Sequence, residues 1–107
     1  MKIELLYFDG CLAYQTALKY LKEVLAEEQL GAGVGMVKIE NAEDALKKRF
    51  LGSPTIRLNG RDIEFSARGI KDFSMRCRLY LEDDKVNEWP SKKMIRCAID
   101  EALGQEK

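Results

Sequence analysis

The dipeptide Asn59-Gly60 stands between two short alternating runs, Thr55–Leu58 (TIRL) and Arg61–Glu64 (RDIE). A two-residue Asn-Gly connection favours positive φ at both positions. That is the type I′ turn whose twist suits a hairpin, so the two runs are expected to pair antiparallel. Upstream, Lys2–Phe8 places Ile3, Leu5 and Tyr7 on one face and Leu6 and Phe8 on the other, as in a strand buried on both sides. Asp9 and Gly10 break it. From Leu12 to Glu28, Ala17, Leu18, Leu21, Val24 and Leu25 recur at helical spacing, with Lys19, Lys22, Glu23 and Glu27 on the opposite face. Val34–Glu40 reads as the next strand. A strand–helix–strand crossover makes parallel neighbours in the right-handed sense, so together with the hairpin it predicts a mixed sheet covered by helices.

The remaining segments complete the order. Asn41 is positioned to cap a short second helix with Ala42, Ala45 and Leu46 inward, and Gly52 is expected to end that element. Phe65–Phe73 reads as a loop with room for one helical turn. Arg76–Leu81 (RCRLYL) alternates like a strand, Asp83-Asp84-Lys85 turns the chain, and Val86–Trp89 is its return partner. Pro90 suits the start of a last helix, whose stripe of Met94, Ile95, Ala98, Ile99, Ala102 and Leu103 ends at Gly104. The expectation is one α/β domain over residues 1–107, β-α-β-α-β-β-α, with an extra small hairpin before the last helix.

Composition narrows the chemistry. None of the 107 residues is histidine, which removes Ser-His-Asp and Cys-His catalysis within one chain and His-ligated zinc. The 18 Lys and Arg balance 18 Asp and Glu, so neither nucleic acid nor an anionic membrane is expected as partner. Neither a spanning segment nor a secretion signal is read in the chain, and a cytoplasmic location is expected. The glycines of Gly31–Gly35 come before a strand instead of leading from one into a helix, so they do not form a phosphate cradle. Cys11, Cys77 and Cys97 are widely spaced, unlike a disulfide framework or a zinc site. No cofactor or resident metal is implied.

Cys11 is the residue with chemistry. It follows the first strand at the mouth of the first helix, where the helix dipole and unpaired N–H groups favour a thiolate. A strand ending in FDGC before a helix, a second βα unit, then Ser53-Pro54-Thr55 opening a hairpin resembles the thioredoxin/glutaredoxin superfamily, in particular its small bacterial thioredoxin-like members. The likeness covers about residues 2–65 and the last helix. It implies a thioredoxin-like fold and thiol–disulfide exchange. It also implies that Cys11 is the nucleophile and that Pro54 is a cis-proline, whose Ser53–Thr55 loop faces the thiol and offers backbone groups to a substrate. The chain departs from the family's pattern at Cys11-Leu12-Ala13-Tyr14, where Tyr14 replaces the second cysteine and Leu12 a frequent proline.

Without a thiol at position 14, three readings stand. Cys11 works as a monothiol whose mixed disulfide is resolved by an external thiol such as glutathione. Alternatively, Cys77, or less readily Cys97, resolves it within the fold. In the third reading the site is redox-inactive, and the fold is a binding module. The expected partner is accordingly a protein disulfide or a glutathione-type thiol. Tyr14 either stands over the thiol or packs on the first helix. Arg68, Lys71, Arg76 and Arg78 against Asp72 make a locally basic segment able to receive an acidic peptide or glutathione carboxylates, or simply a solvated face. Cys11 with Cys77 also suits a soft ion such as Hg(II), Cu(I) or As(III). Substrate, electron donor and oligomeric state are left open.

Overall fold

Hydrophobic residues alternate along β1 (Ile3–Tyr7), so the strand feeds two cores at once, and the rest of the fold is arranged around it. A computed structural model describes residues 1–105. Ile3 and Leu5 face α1 (Ala13–Glu27) and α3 (Lys92–Gln105). There they pack with Leu21, Val24, Ile56, Ile95 and Ile99 in the larger core. Leu6 faces the other way, into a smaller core with Ile39, Ala45 of α2 (Ala42–Lys47) and Phe50. The sheet order is β2-β1-β3-β4, with β2 (Val34–Lys38), β3 (Thr55–Leu58) and β4 (Arg61–Asp62). β1 runs parallel to β2 and antiparallel to β3, and β3 runs antiparallel to β4, which is the mixed sheet the crossover and hairpin predict. Asn59 and Gly60 have φ of 54° and 83°, as a type I′ turn requires.

Both early helices end without glycine. At α2 the Arg49 N–H reaches the Leu46 carbonyl at 3.3 Å and the Phe50 N–H the Ala45 carbonyl at 2.8 Å, with Arg49 left-handed at φ 56°. This is the Schellman pattern, sealed by the Phe50–Ala45 contact in the small core. The helix therefore stops before Gly52, which was expected to end it. Gln29 plays the same part after α1, also at φ 56°. Asn41 caps α2 as expected, its side-chain oxygen accepting from the Asp44 N–H at 2.8 Å.

Further boundaries move for local reasons. β4 is two residues long, because the Glu64 N–H turns onto the Asp62 carboxylate at 2.8 Å. Phe65–Ala67 forms one 3-10 turn in the expected loop. Arg76–Leu81 is not a continuous strand. Its first part makes a single parallel bridge, Cys77 to Ser53, and only Tyr80–Glu82 (β5) pairs with Lys85–Asn87 (β6) in a separate two-stranded ribbon. Asp83 and Asp84, at φ 53° and 62°, make that ribbon's turn. Ser91 starts α3 in place of Pro90, its Oγ accepting from the Met94 N–H at 3.0 Å. The helix then passes through Gly104 to Gln105.

Candidate dithiol site

The turn after β1 is fixed by aromatic packing. The Phe8 ring meets Phe50 edge-on at 6.5 Å and lies so close over Gly10 that a Cβ there would come within 2.7 Å of it. The Cys11 N–H closes the turn onto the Phe8 carbonyl at 3.3 Å. Cys11 thus sits just before Leu12, the N-cap of α1, which has no side-chain acceptor for the first-turn N–H groups. The positive end of a 15-residue helix is directed at the loop that carries the sulfur. The thiol itself is 6% exposed and donates to the Ser53 carbonyl at 3.6 Å.

Ser53 is where three segments meet. Its peptide bond to Pro54 is cis. Its N–H donates to the Arg76 carbonyl at 2.8 Å, and its carbonyl accepts from the Arg78 N–H at 2.9 Å as well as from Cys11. The backbone groups that the family likeness assigns to a substrate chain are therefore already bonded to residues 76–78 of this chain. Gly52 permits that approach. It has φ 135°, and a Cβ on it would lie 2.9 Å from the Arg78 Cβ and 3.1 Å from the Arg76 carbonyl oxygen. Any side chain at position 52 pushes this strap away.

The strap brings Cys77 to Cys11. Cys77 is exposed, and its bridge to Ser53 sets its thiol beside that of Cys11, near enough for the one to act on the other's proton. The neighbouring Cys11 thiol first, then burial, then the charge on Cys11 and on Glu88 push the Cys77 thiol up to about 11. Cys97, by contrast, is exposed on α3, and the Cys11 sulfur has Cys77 as its neighbour.

This coupling has a testable sign. Cys11→Ala removes the largest cause raising Cys77, so the Cys77 value must fall toward that of an ordinary thiol, about 8.5. Near pH 9 the initial rate of iodoacetamide modification at Cys77, read by peptide mass in a Cys97→Ser background, should rise about tenfold in the variant. An unchanged rate would mean that the two sulfurs do not interact.

Beneath the strap lies a polar cluster. The Arg78 guanidinium, 6% exposed, grips Asp62, 7% exposed, with two bonds of 2.6 and 2.9 Å. It also donates to Thr55 Oγ1 and Glu64 at 3.1 Å each and lies 4.4 Å over the Tyr80 ring. Burial is the largest single influence and opposes the charge on Arg78, but the Asp62 bond, the charges of Tyr80 and Asp62, and the Glu64 bond together outweigh it and hold the guanidinium above its usual range. The Thr55 hydroxyl donates in turn to the Gly52 carbonyl at 2.6 Å, and the buried Tyr80 hydroxyl donates to the Pro54 carbonyl at 2.5 Å. Ser53, Pro54 and Thr55 are thus held from below, and Ser53 Oγ is buried without a hydrogen-bond partner.

Two sequence expectations change here. In the basic segment 68–78, three of the four cations, all but the exposed Lys71, are already paired with carboxylates. Arg78 is buried on Asp62, Arg76 pairs with Asp72 at 3.1 Å, and Arg68 pairs with Glu101 at 2.9 Å. Tyr14 stacks on Tyr7 with ring centres 4.3 Å apart and borders the larger core, the packing alternative of the two. The residues that sequence reasoning missed are Gly52, Asp62 and Glu64. Only Gly52 left a trace, a glycine immediately before Ser-Pro.

Among the described residues, no helix is long and apolar enough to cross a membrane, and no cluster of three or more Cys, Asp or Glu side chains is placed to hold a metal ion. In comparisons with known proteins, the chain matches no family model, no curated protein and no solved structure.

Proposed function

We propose that the protein is a thioredoxin-like thiol–disulfide exchange protein whose redox pair is Cys11 and Cys77. The carrying observation is Ser53, which is bonded to the residues on either side of Cys77 while its carbonyl also accepts from the Cys11 thiol, so that both thiols meet at one residue. The element order and the β2-β1-β3-β4 sheet support the thioredoxin-like reading.

The proposed exchange runs in two steps. Cys11 attacks a disulfide RSSR as thiolate, forming Cys11–S–SR and releasing RS⁻, which takes up a proton. While Cys11 carries charge, Cys77 is held protonated. Once Cys11 is a mixed disulfide, that hold is gone. Cys77 then loses its proton to solvent and attacks the Cys11 sulfur, releasing the second RS⁻ and closing a Cys11–Cys77 disulfide. Two thiols are oxidised and one disulfide is reduced, and an external thiol restores the pair. With no imidazole in the chain, the proton moves to water.

Equilibration in glutathione buffers tests the reading. A disulfide mapping to Cys11 and Cys77, formed reversibly and within one chain, is the expected result. Glutathione adducts on Cys11 with Cys77 still free would overturn the pair. The soft-ion reading rests on the same two sulfurs. It gains if one Hg(II) binds per chain and disappears in either Cys11→Ala or Cys77→Ala.

A further inference from the structure

Away from the thiols, the turn after α2, the β3–β4 hairpin and the 65–73 loop enclose a cavity of about 360 Å³. Four arginines line it: Arg49, Arg57, Arg61 and Arg68. Arg68 is paired with Glu101, and the one carboxylate in the wall, Asp62, is bonded through both oxygens to Arg78, so the site turns on Arg49 and Arg57. Arg57 is fixed in place by donating to the Lys48 and Arg49 carbonyls at 2.8 and 2.6 Å, which uses two of its five N–H groups. Arg49 lies over the Phe73 ring at 5.4 Å. Neither Arg49 nor Arg57 has an ion pair with a carboxylate among the described residues. Burial pulls the Arg57 guanidinium below its usual range, and the like charges of Arg78 and Arg49 add to that pull, against Asp62 and Glu4.

Positioned guanidinium forks with uncompensated charge beside an aromatic wall match an oxyanion carried on an apolar body. We propose that this cavity is a binding site for a small phosphate monoester, its phosphate held by Arg49 and Arg57 and its organic part against Phe73. The volume is at the small end of the range for ligand sites, about 300–1,000 Å³. The site is independent of the dithiol chemistry, and its test does not read the thiols.

Phenyl phosphate, inorganic phosphate and succinate serve as probes, by calorimetry and phosphorus NMR at low salt. Phenyl phosphate should bind once per chain, with Kd below about 1 mM and tighter than either other probe. Arg49→Gln should weaken it about tenfold or more through loss of charge-assisted bonds. That variant keeps a fold-compatible residue, because Gln29 occupies the same left-handed position after α1. Lys19→Gln, an exposed charge on α1, should leave binding unchanged. Equal weakening by both variants would reduce the effect to diffuse charge, and equal affinity for phenyl and inorganic phosphate would remove Phe73 from the site. Absence of saturable binding would overturn the proposal.

Discussion

In a Cys97→Ser background, a reduced chain treated with a small aromatic disulfide should release both halves of the reagent and keep neither, having closed Cys11–Cys77. Cys77→Ser in the same background should release one half and carry the other on Cys11. Cys11→Ser should carry it, slowly, on Cys77. The contrast is large because it is a difference of products, read by intact mass. Its cause is position. Ser53 holds Arg76 and Arg78 at 2.8 and 2.9 Å, so the Cys77 sulfur is presented to Cys11 without a search. A thiol so placed outcompetes free glutathione at about 1 mM, because effective molarities of oriented groups exceed that by orders of magnitude. Glutathione should therefore rescue product release in Cys77→Ser and leave the unsubstituted pair unaffected. A persistent Cys11 adduct with Cys77 intact would return the protein to the monothiol reading.

The first half of the site is legible in the sequence because it depends on local rules. Alternation marks β1, helical spacing marks α1, and the break between them, Asp9-Gly10, leaves Cys11 at the helix mouth. Asn59-Gly60 specifies its turn by backbone preference alone. The second half depends on one bridge and one buried charge, and neither has a period. In RCRLYL the pattern favours Leu79 and Leu81 inward and the arginines outward. The structure has the opposite face in: Leu79 and Leu81 are 60% and 64% exposed, while Arg78 and Tyr80 are buried. A period-two segment has two registers, and hydrophobicity picks the wrong one when a buried carboxylate waits on the other side. Asp62 is that carboxylate, and nothing around it in RDIE distinguishes it from a solvated hairpin residue. The same reversal turns Cys77 outward, so that it stays exposed while its thiol meets Cys11.

Arg78→Met should accordingly be the most destabilising single change in the strap. It removes both bonds to Asp62 and leaves a carboxylate that is 7% exposed without its counter-charge, beside Glu64. Breaking one partner of a buried pair costs about 3–5 kcal/mol. In a domain of this size, that lowers the thermal midpoint by roughly 15 °C or more. Arg78→Lys should recover only part of the loss, since an ammonium cannot fork onto both oxygens while also reaching Thr55. The decisive comparison is Arg78→Met with Asp62→Leu, which removes the stranded charge together with its partner and should restore most of the stability. The double variant keeps the Arg78-position N–H that bonds the Ser53 carbonyl, because that contact is backbone. If backbone pairing presents Cys77, the double variant still closes the Cys11–Cys77 disulfide at a near-normal rate. If the guanidinium clamp presents it, stability returns but closure stays slow. A single Arg78→Met that melts like the unsubstituted chain would mean the ion pair is solvated in solution, and the strap's hold on the dithiol would then rest on Gly52 and Ser53 alone.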